Sequence, residues 1–165
     1  MQKVILGLGS NIGDRGAYLR RAVDSLSSIL QDIAFSSVYQ TAPQDYEKQD
    51  DFFNMVVIGY YDGEPLHLLE EIKQIEETYG RAREKEIKKG PRTLDIDILF
   101  FGSLTLNMPT LTIPHPAIKK RAFVLIPLLE LLPEFHAPDD TLLYKDILLQ
   151  LKDQRVERVG ELARV

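Results

Sequence analysis

"GPRTLDIDILFFG", residues 90–102, sets two aspartates, Asp95 and Asp97, two positions apart inside a run of Leu, Ile and Phe. In a strand, residues i and i+2 share a face. Both carboxylates therefore point together, with Cα atoms about 6–7 Å apart, while Leu94, Ile96 and Ile98 turn the other way into a core. Two like charges that close raise at least one pKa unless a cation neutralises them. A solvated polar face is the commoner source of an isolated D-x-D in a strand. Two neighbouring features favour a cation here: "ILFF" continues without polar alternation, as in a central strand, and the rigid Gly90-Pro91 turn feeds Arg92 into the same place.

Working outward from this strand, expected over 94–101, the chain reads as alternating elements. "KVILGLG" (3–9) is a short buried strand, and "GSNIGD" behind it is a turn. In "GAYLRRAVDSLSSIL" the residues Leu19, Ala22, Val23, Leu26, Ile29 and Leu30 make one helical stripe. "IAFSSVYQTA" (33–42) is a strand interrupted by Ser, and "FFNMVVIGYY" (52–61) a stronger one, with the polar "PQDYEKQDD" between them. The next helix carries Pro65 in its first turn, Leu69, Ile72, Ile75 and Tyr79 on one face, and Gly80 at its C′ position. Beyond the D-x-D strand, prolines mark 107–117 as extended or turning, and "KKRAFVLIPLLELLP" predicts a helix made imperfect by Pro127. The tail predicts one more helix, ending in a frayed turn or a last short strand. Strand, helix, strand, strand, helix, strand is the split βαβ order. The expectation is an α+β fold with a ferredoxin-like core, a mostly antiparallel sheet with helices packed on it, and extra C-terminal helices.

The 165 residues suit one domain, expected to span 1–165 without an internal repeat or linker. No apolar run approaches the ~18 residues needed to cross a bilayer, and the N-terminus lacks a signal-peptide core, so a cytoplasmic protein is expected. With no Cys and three scattered His, thiolate and imidazole metal cages are excluded; any metal must be a hard cation on oxygen ligands. A net charge of −5 argues against a general nucleic-acid binder.

Lys and Arg nevertheless concentrate in "GRAREKEIKKGPR" (80–92), and Arg121 follows "IPHP". Guanidinium forks fit phosphate oxygens, and magnesium commonly uses one or two carboxylates together with substrate phosphates. A triphosphate ligand fits these parts. No G-x-x-x-x-G-K-[ST] occurs, and "GLGSNIG" puts Ile12 where a dinucleotide loop needs its third Gly, so Gly7, Gly9 and Gly13 are read as tight-turn residues. Two other classes fit these parts less well. A ferredoxin-like module binding RNA would need a basic, aromatic sheet face, where this one carries aspartates; a magnesium-dependent phosphatase would need an activated water or nucleophile.

At "KGPRTLDIDILFFG" the chain resembles the 6-hydroxymethyl-7,8-dihydropterin pyrophosphokinases. The likeness extends through "GSN" (9–11), Y-x-T-x-P (39–43), "FFN" (52–54), "GRAR" (80–83), "LTIPHP" (111–116) and "RAF" (121–123). The resemblance implies transfer of the β,γ-diphosphate of ATP to the hydroxymethyl oxygen of a reduced pterin, a step of folate biosynthesis that releases AMP. It makes Asp95 and Asp97 the ligands of two Mg²⁺ ions, and Arg81 and Arg92 the catalytic clamps on the transferring phosphates. Glu76, Arg83, Ile98, Thr112, His115 and Arg121 complete the ATP side. Thr41, Ala42 and Pro43 contribute backbone to the pterin, Asn54 reads its guanine-like edge, and Phe52 and Phe123 sandwich its ring. A monomer acting on two small molecules, with neither nucleic acid nor membrane as partner, is expected. Departures from the family pattern are Lys89, where a Trp can occur, and Pro116, where an aromatic is common; Lys73 and Gln74 leave the adenine side unassigned.

Overall fold

A computed structural model describes residues 1–42, 50–80, 93–138 and 140–165. The elements run β1 (Gln2–Ser10), α1 (Arg15–Ser27), β2 (Gln31–Phe35), β3 (Val38–Thr41), β4 (Phe52–Tyr61), α2 (Pro65–Thr78), β5 (Asp95–Phe101), a hairpin of β6 (Leu106–Met108) and β7 (Leu111–Ile113), α3 (Ala122–Leu131), α4 (Tyr144–Leu148) and β8 (Val156–Gly160). The main sheet is ordered β5-β1-β4-β3-β8, with β2 also on β4, and its pairings are antiparallel. Because β4 inserts between β1 and β3, the β1-α1-β3 unit is the split βαβ expected from the element order.

Local chemistry sets the ends. The Asp14 carboxylate accepts from the Ala17 N–H at 3.0 Å and caps α1; Pro65 opens α2, where its missing N–H costs nothing. Gly80 follows α2 at φ +85°, a conformation a Cβ disfavours. The expected single strand over 33–42 is two strands. Ser36 breaks the ladder because its hydroxyl accepts from the Val56 N–H at 2.9 Å and donates to the Ser37 carbonyl at 2.8 Å. The tail holds a short helix and then β8, which completes the sheet edge beside β3.

Each sheet face has its own core. Val4, Leu6, Leu8, Ile96 and Ile98 pack against Leu19, Leu26, Leu68 and Ile72 of α1 and α2. Ile5, Val56, Leu99 and Phe100 pack against α3 and α4. Full burial of each such side chain contributes about 1.5–3 kcal/mol. Between Ile5 and Leu6 the β1–β5 register slips, pairing Ile5 with Phe100 and Leu6 with Ile98. The extra residue, Leu99, joins the same core as Phe100. This bulge is why "ILFF" shows no alternation: both faces of β5 are apolar beyond it, and only the stretch before it is open to function.

Candidate active site

The site is built on the β5 stretch ahead of the bulge. Ile96 and Ile98 are 4% exposed in the core, which turns the half-buried Asp95 and Asp97 to the opposite face as alternation requires. Asp95 lies across from Gly9 and Asp97 across from Gly7, and Gly9 also faces Asn54 of β4. Gly7 and Gly9 are thus strand residues forming a floor, not the tight-turn residues expected; only Gly13, at φ +69°, takes a turn conformation. A Cβ on Gly9 would come within 3.0 Å of Asn54 Oδ1 and 3.6 Å of Phe52 Cδ1, so the bare backbone leaves room for what lies above it. Glu76 of α2 is fully buried and accepts from the Ile96 N–H at 3.2 Å, tying the helix to β5 between the two aspartates.

Two clefts meet at this pair of carboxylates. The first is lined by Gly7, Gly9, Thr41, Phe52, Asn54 and Phe123, together with Ala42, Leu99, Val124 and Arg121. Asn54 is 6% exposed and donates from Nδ2 to Thr41 Oγ1 at 2.7 Å, which fixes the orientation of its amide plane. The second cleft is lined by Lys73, Ile98, Thr112, His115 and Pro116. Asp95 and Asp97 line both.

His115 is held by its backbone, whose N–H donates to the Leu99 carbonyl at 3.0 Å. Its Nδ1 accepts from the Ala117 N–H at 3.1 Å, so the ring proton sits on Nε2. Burial, reinforced by the Arg121 charge and opposed by Asp95, holds this imidazole below its ordinary pKa and therefore neutral near pH 7. Arg121 opens α3, with its guanidinium 5.5 Å from the Phe123 ring centroid, a cation–π distance.

The expected pterin residues Thr41, Ala42, Phe52, Asn54 and Phe123 converge in the first cleft, and Ile98, Thr112 and His115 in the second. Arg121, expected among the phosphate contacts, lines the first cleft, close enough to the second for its charge to act on His115. Glu76 reaches β5 but lines neither cleft. Pro43, Arg81, Arg83 and Arg92, with the departure at Lys89, lie outside the described residues. Sequence reasoning missed Gly7, Gly9, Leu99 and Val124. Glycines alternating with Leu6 and Leu8 were a signal that a ligand approaches the strand backbone.

The donor set suits a hard cation. Asp95 and Asp97 offer only oxygens, and among the described residues no third His, Cys, Asp or Glu joins them in a metal cluster, so a bound ion would complete its shell with water and ligand oxygens.

Fold and site together define a small α+β protein with a split βαβ core in which two clefts share one acidic pair. Residues 5–133 match the model of the 7,8-dihydro-6-hydroxymethylpterin-pyrophosphokinase (HPPK) family, and the chain belongs to that family. The relative from Aquifex aeolicus, a 2-amino-4-hydroxy-6-hydroxymethyldihydropteridine pyrophosphokinase, is 36% identical over 154 residues, 93% of this chain and 92% of its own length. The Bacillus subtilis enzyme of that name is 44% identical over 128 residues, covering 76% of this chain and 75% of the relative. Among solved structures, wild-type Plasmodium falciparum HPPK-DHPS with pterin and p-hydroxybenzoate superposes with a TM-score of 0.72 at 18% identity, over 95% of this chain and 45% of that longer one. That likeness bears on the fold. The activity of the family is pyrophosphoryl transfer from ATP to hydroxymethyldihydropterin, in folate biosynthesis.

Proposed function

We propose that this chain transfers the β,γ-diphosphate of ATP to the hydroxymethyl oxygen of 6-hydroxymethyl-7,8-dihydropterin, with the pterin in the first cleft and ATP in the second. The observation that carries this reading is that Asp95 and Asp97 line both clefts, so ligands in the two would present their reacting ends to one acidic pair. Phe52 and Phe123 stack on the ring, Asn54 reads its donor/acceptor edge, and the Gly7–Gly9 floor lets the ring lie against backbone. His115, neutral with its proton on Nε2, donates to a phosphate oxygen, and Arg121 supplies positive charge where the clefts join.

Asp95 and Asp97 are the residues that would hold Mg²⁺, two ions in our reading. When bound, such ions neutralise phosphate charge and ease ionisation of the hydroxyl. The hydroxyl oxygen attacks the β-phosphorus in line; the new O–P bond forms as the bond to the α-phosphate oxygen breaks, and AMP leaves. Among the described residues no His or Glu lines the first cleft, so no dedicated general base is assigned. Arg81 and Arg92 are proposed as the clamps on the moving diphosphate, with Glu76, Arg83, Ile98 and Thr112 on the ATP side and Thr41, Ala42 and Pro43 beside the pterin. In our reading the chain acts as a monomer, and a cysteine-free chain accords with the cytoplasm.

The test is direct. Protein, Mg²⁺, ATP and the hydroxymethyl dihydropterin should yield AMP and the pterin diphosphate in equal amounts, and chelation of the metal should stop the reaction. Phosphate release without pterin, or no AMP, would overturn the assignment.

A further inference from the structure

Three consecutive residues, Gln154, Arg155 and Val156, each engage a residue in or next to a different wall of the first cleft, and all lie beyond residue 133, where the family match ends. Gln154 accepts from the Ala122 N–H through Oε1 at 2.8 Å and donates through Nε2 to the Lys120 carbonyl, also at 2.8 Å. It thereby fixes the peptides on either side of Arg121, one residue short of Phe123. The first N–H groups of a helix have no partner within it, and Arg121 gives α3 no side-chain cap, so the cap comes from Gln154. Arg155 pairs with Asp51 Oδ2, an oxygen that also accepts from Gln40 Nε2 at 3.0 Å. The Asp51 carbonyl accepts from Arg15 Nη1 at 2.7 Å, so the residue ahead of Phe52 is held by three side chains, those of Arg15, Gln40 and Arg155. Val156 pairs with Thr41, the hydrogen-bond partner of Asn54.

We propose that this C-terminal segment is a clamp that sets the spacing of the pterin cleft, with Gln154 and Arg155 as positioning residues for Phe123 and Phe52. The proposal rests on the reading of the first cleft as the pterin site. Walls fixed before the ring arrives spare binding the cost of ordering them, so removing the clamp weakens pterin binding selectively. ATP in the second cleft is lined by other residues and is spared.

The experiment uses the full chain and the variants Gln154→Met, Arg155→Ala and Arg155→Lys, measuring KM for each substrate, kcat and thermal midpoint. Gln154→Met loses one partly buried and one solvent-exposed hydrogen bond and should raise the pterin KM about tenfold, with ATP KM and kcat within about twofold. Arg155→Ala, at an exposed pair that leaves folding intact, should raise the pterin KM roughly threefold, and Arg155→Lys should restore it. A lowered thermal midpoint with the pterin KM unchanged in the variants that fold would make the segment merely structural and overturn the proposal. So would parallel rises in both KM values. If Gln154→Met does not fold, an Arg155→Ala enzyme with the parent pterin KM overturns it alone. A parent protein that makes no AMP would instead sink the functional reading, so the two failures are distinct.

Discussion

Gly7→Ala separates binding from stability at the floor of the first cleft. Gly7 sits mid-strand, between Val56 and Asp97, and the nearest atoms to a Cβ built there are the Leu99 methyls at 3.5 Å, an ordinary contact. The protein itself therefore accepts the methyl. Because Gly7 lies in an extended strand, the lost unfolded-state entropy should leave the variant as stable as the parent or more so by about 0.4–1 kcal/mol. The same methyl stands where a flat ring has to lie against backbone. Forcing a methyl into a filled contact costs about 1–3 kcal/mol, a loss of roughly fivefold to 150-fold in pterin affinity. Calorimetric titration with the pterin, in the presence of Mg²⁺ and a non-hydrolysable ATP analogue, reads the affinity; a thermal melt reads the stability. Gly9→Ala is the control with the opposite stability sign. Its Cβ would come 3.0 Å from Asn54 Oδ1, and that amide cannot give way freely while it donates to Thr41 at 2.7 Å. Parent-like pterin affinity in Gly7→Ala with an unshifted melt would show that the ring does not lie on this floor, and the assignment of the first cleft would fail.

Asp97→Ala should abolish turnover while leaving the melt close to the parent, since it removes a metal ligand and relieves carboxylate repulsion together; surviving activity would remove Asp97 from the mechanism. Glu130 accepts from the Ser37 N–H and the Tyr39 hydroxyl, both at 2.7 Å. Burial alone would raise its pKa, but these bonds outweigh it and hold the carboxyl below its usual value of 4.5. A depressed carboxylate stabilises above the unfolded pKa and loses that contribution as pH falls through the folded one, so acid unfolding below about pH 4.5 should be shallower in Glu130→Gln; at this exposed group the effect at neutral pH stays under about 1 kcal/mol. His115 acts with the same sign at higher pH. Its imidazole resists a proton that the unfolded chain accepts near pH 6.5, so stability falls as pH drops from there, and His115→Gln should flatten that stretch of a melt-versus-pH curve. An unchanged curve would mean that the ring is not held neutral by the fold.

The parts readable from the sequence are those where a residue contradicts its neighbourhood. Two carboxylates in an apolar strand, and an amide opening a buried one, cannot be accounted for by packing, and both lie where expected, on β5 and β4. Helices with clean stripes, α1 and α2, were readable too, because each packs one face on the sheet. What stayed hidden has a common physical cause: the partner lies far away in the chain. β8 is a mostly exposed strand whose "VERVG" owes its conformation to the edge of β3, and the Ser36 break in the 33–42 strand depends on the Val56 N–H twenty residues on.

The glycine floor was hidden for a different reason, since what it supplies is space, and space has no residue-level signature until its surroundings are known. Gly7 and Gly9 look like turn residues as long as β1 is considered alone; once β4 and β5 pair on either side, they become the two positions where a side chain would fill the cleft. The aspartates opposite them make the same point from the other side. Their alternation gives the direction in which they face, but only the pairing with bare backbone opens the first cleft beside them, and it takes the β6–β7 region, α2 and the His115–Pro116 turn to complete the second. The chemistry of this site is thus written in β5, whereas its selectivity is written in what β1 leaves out.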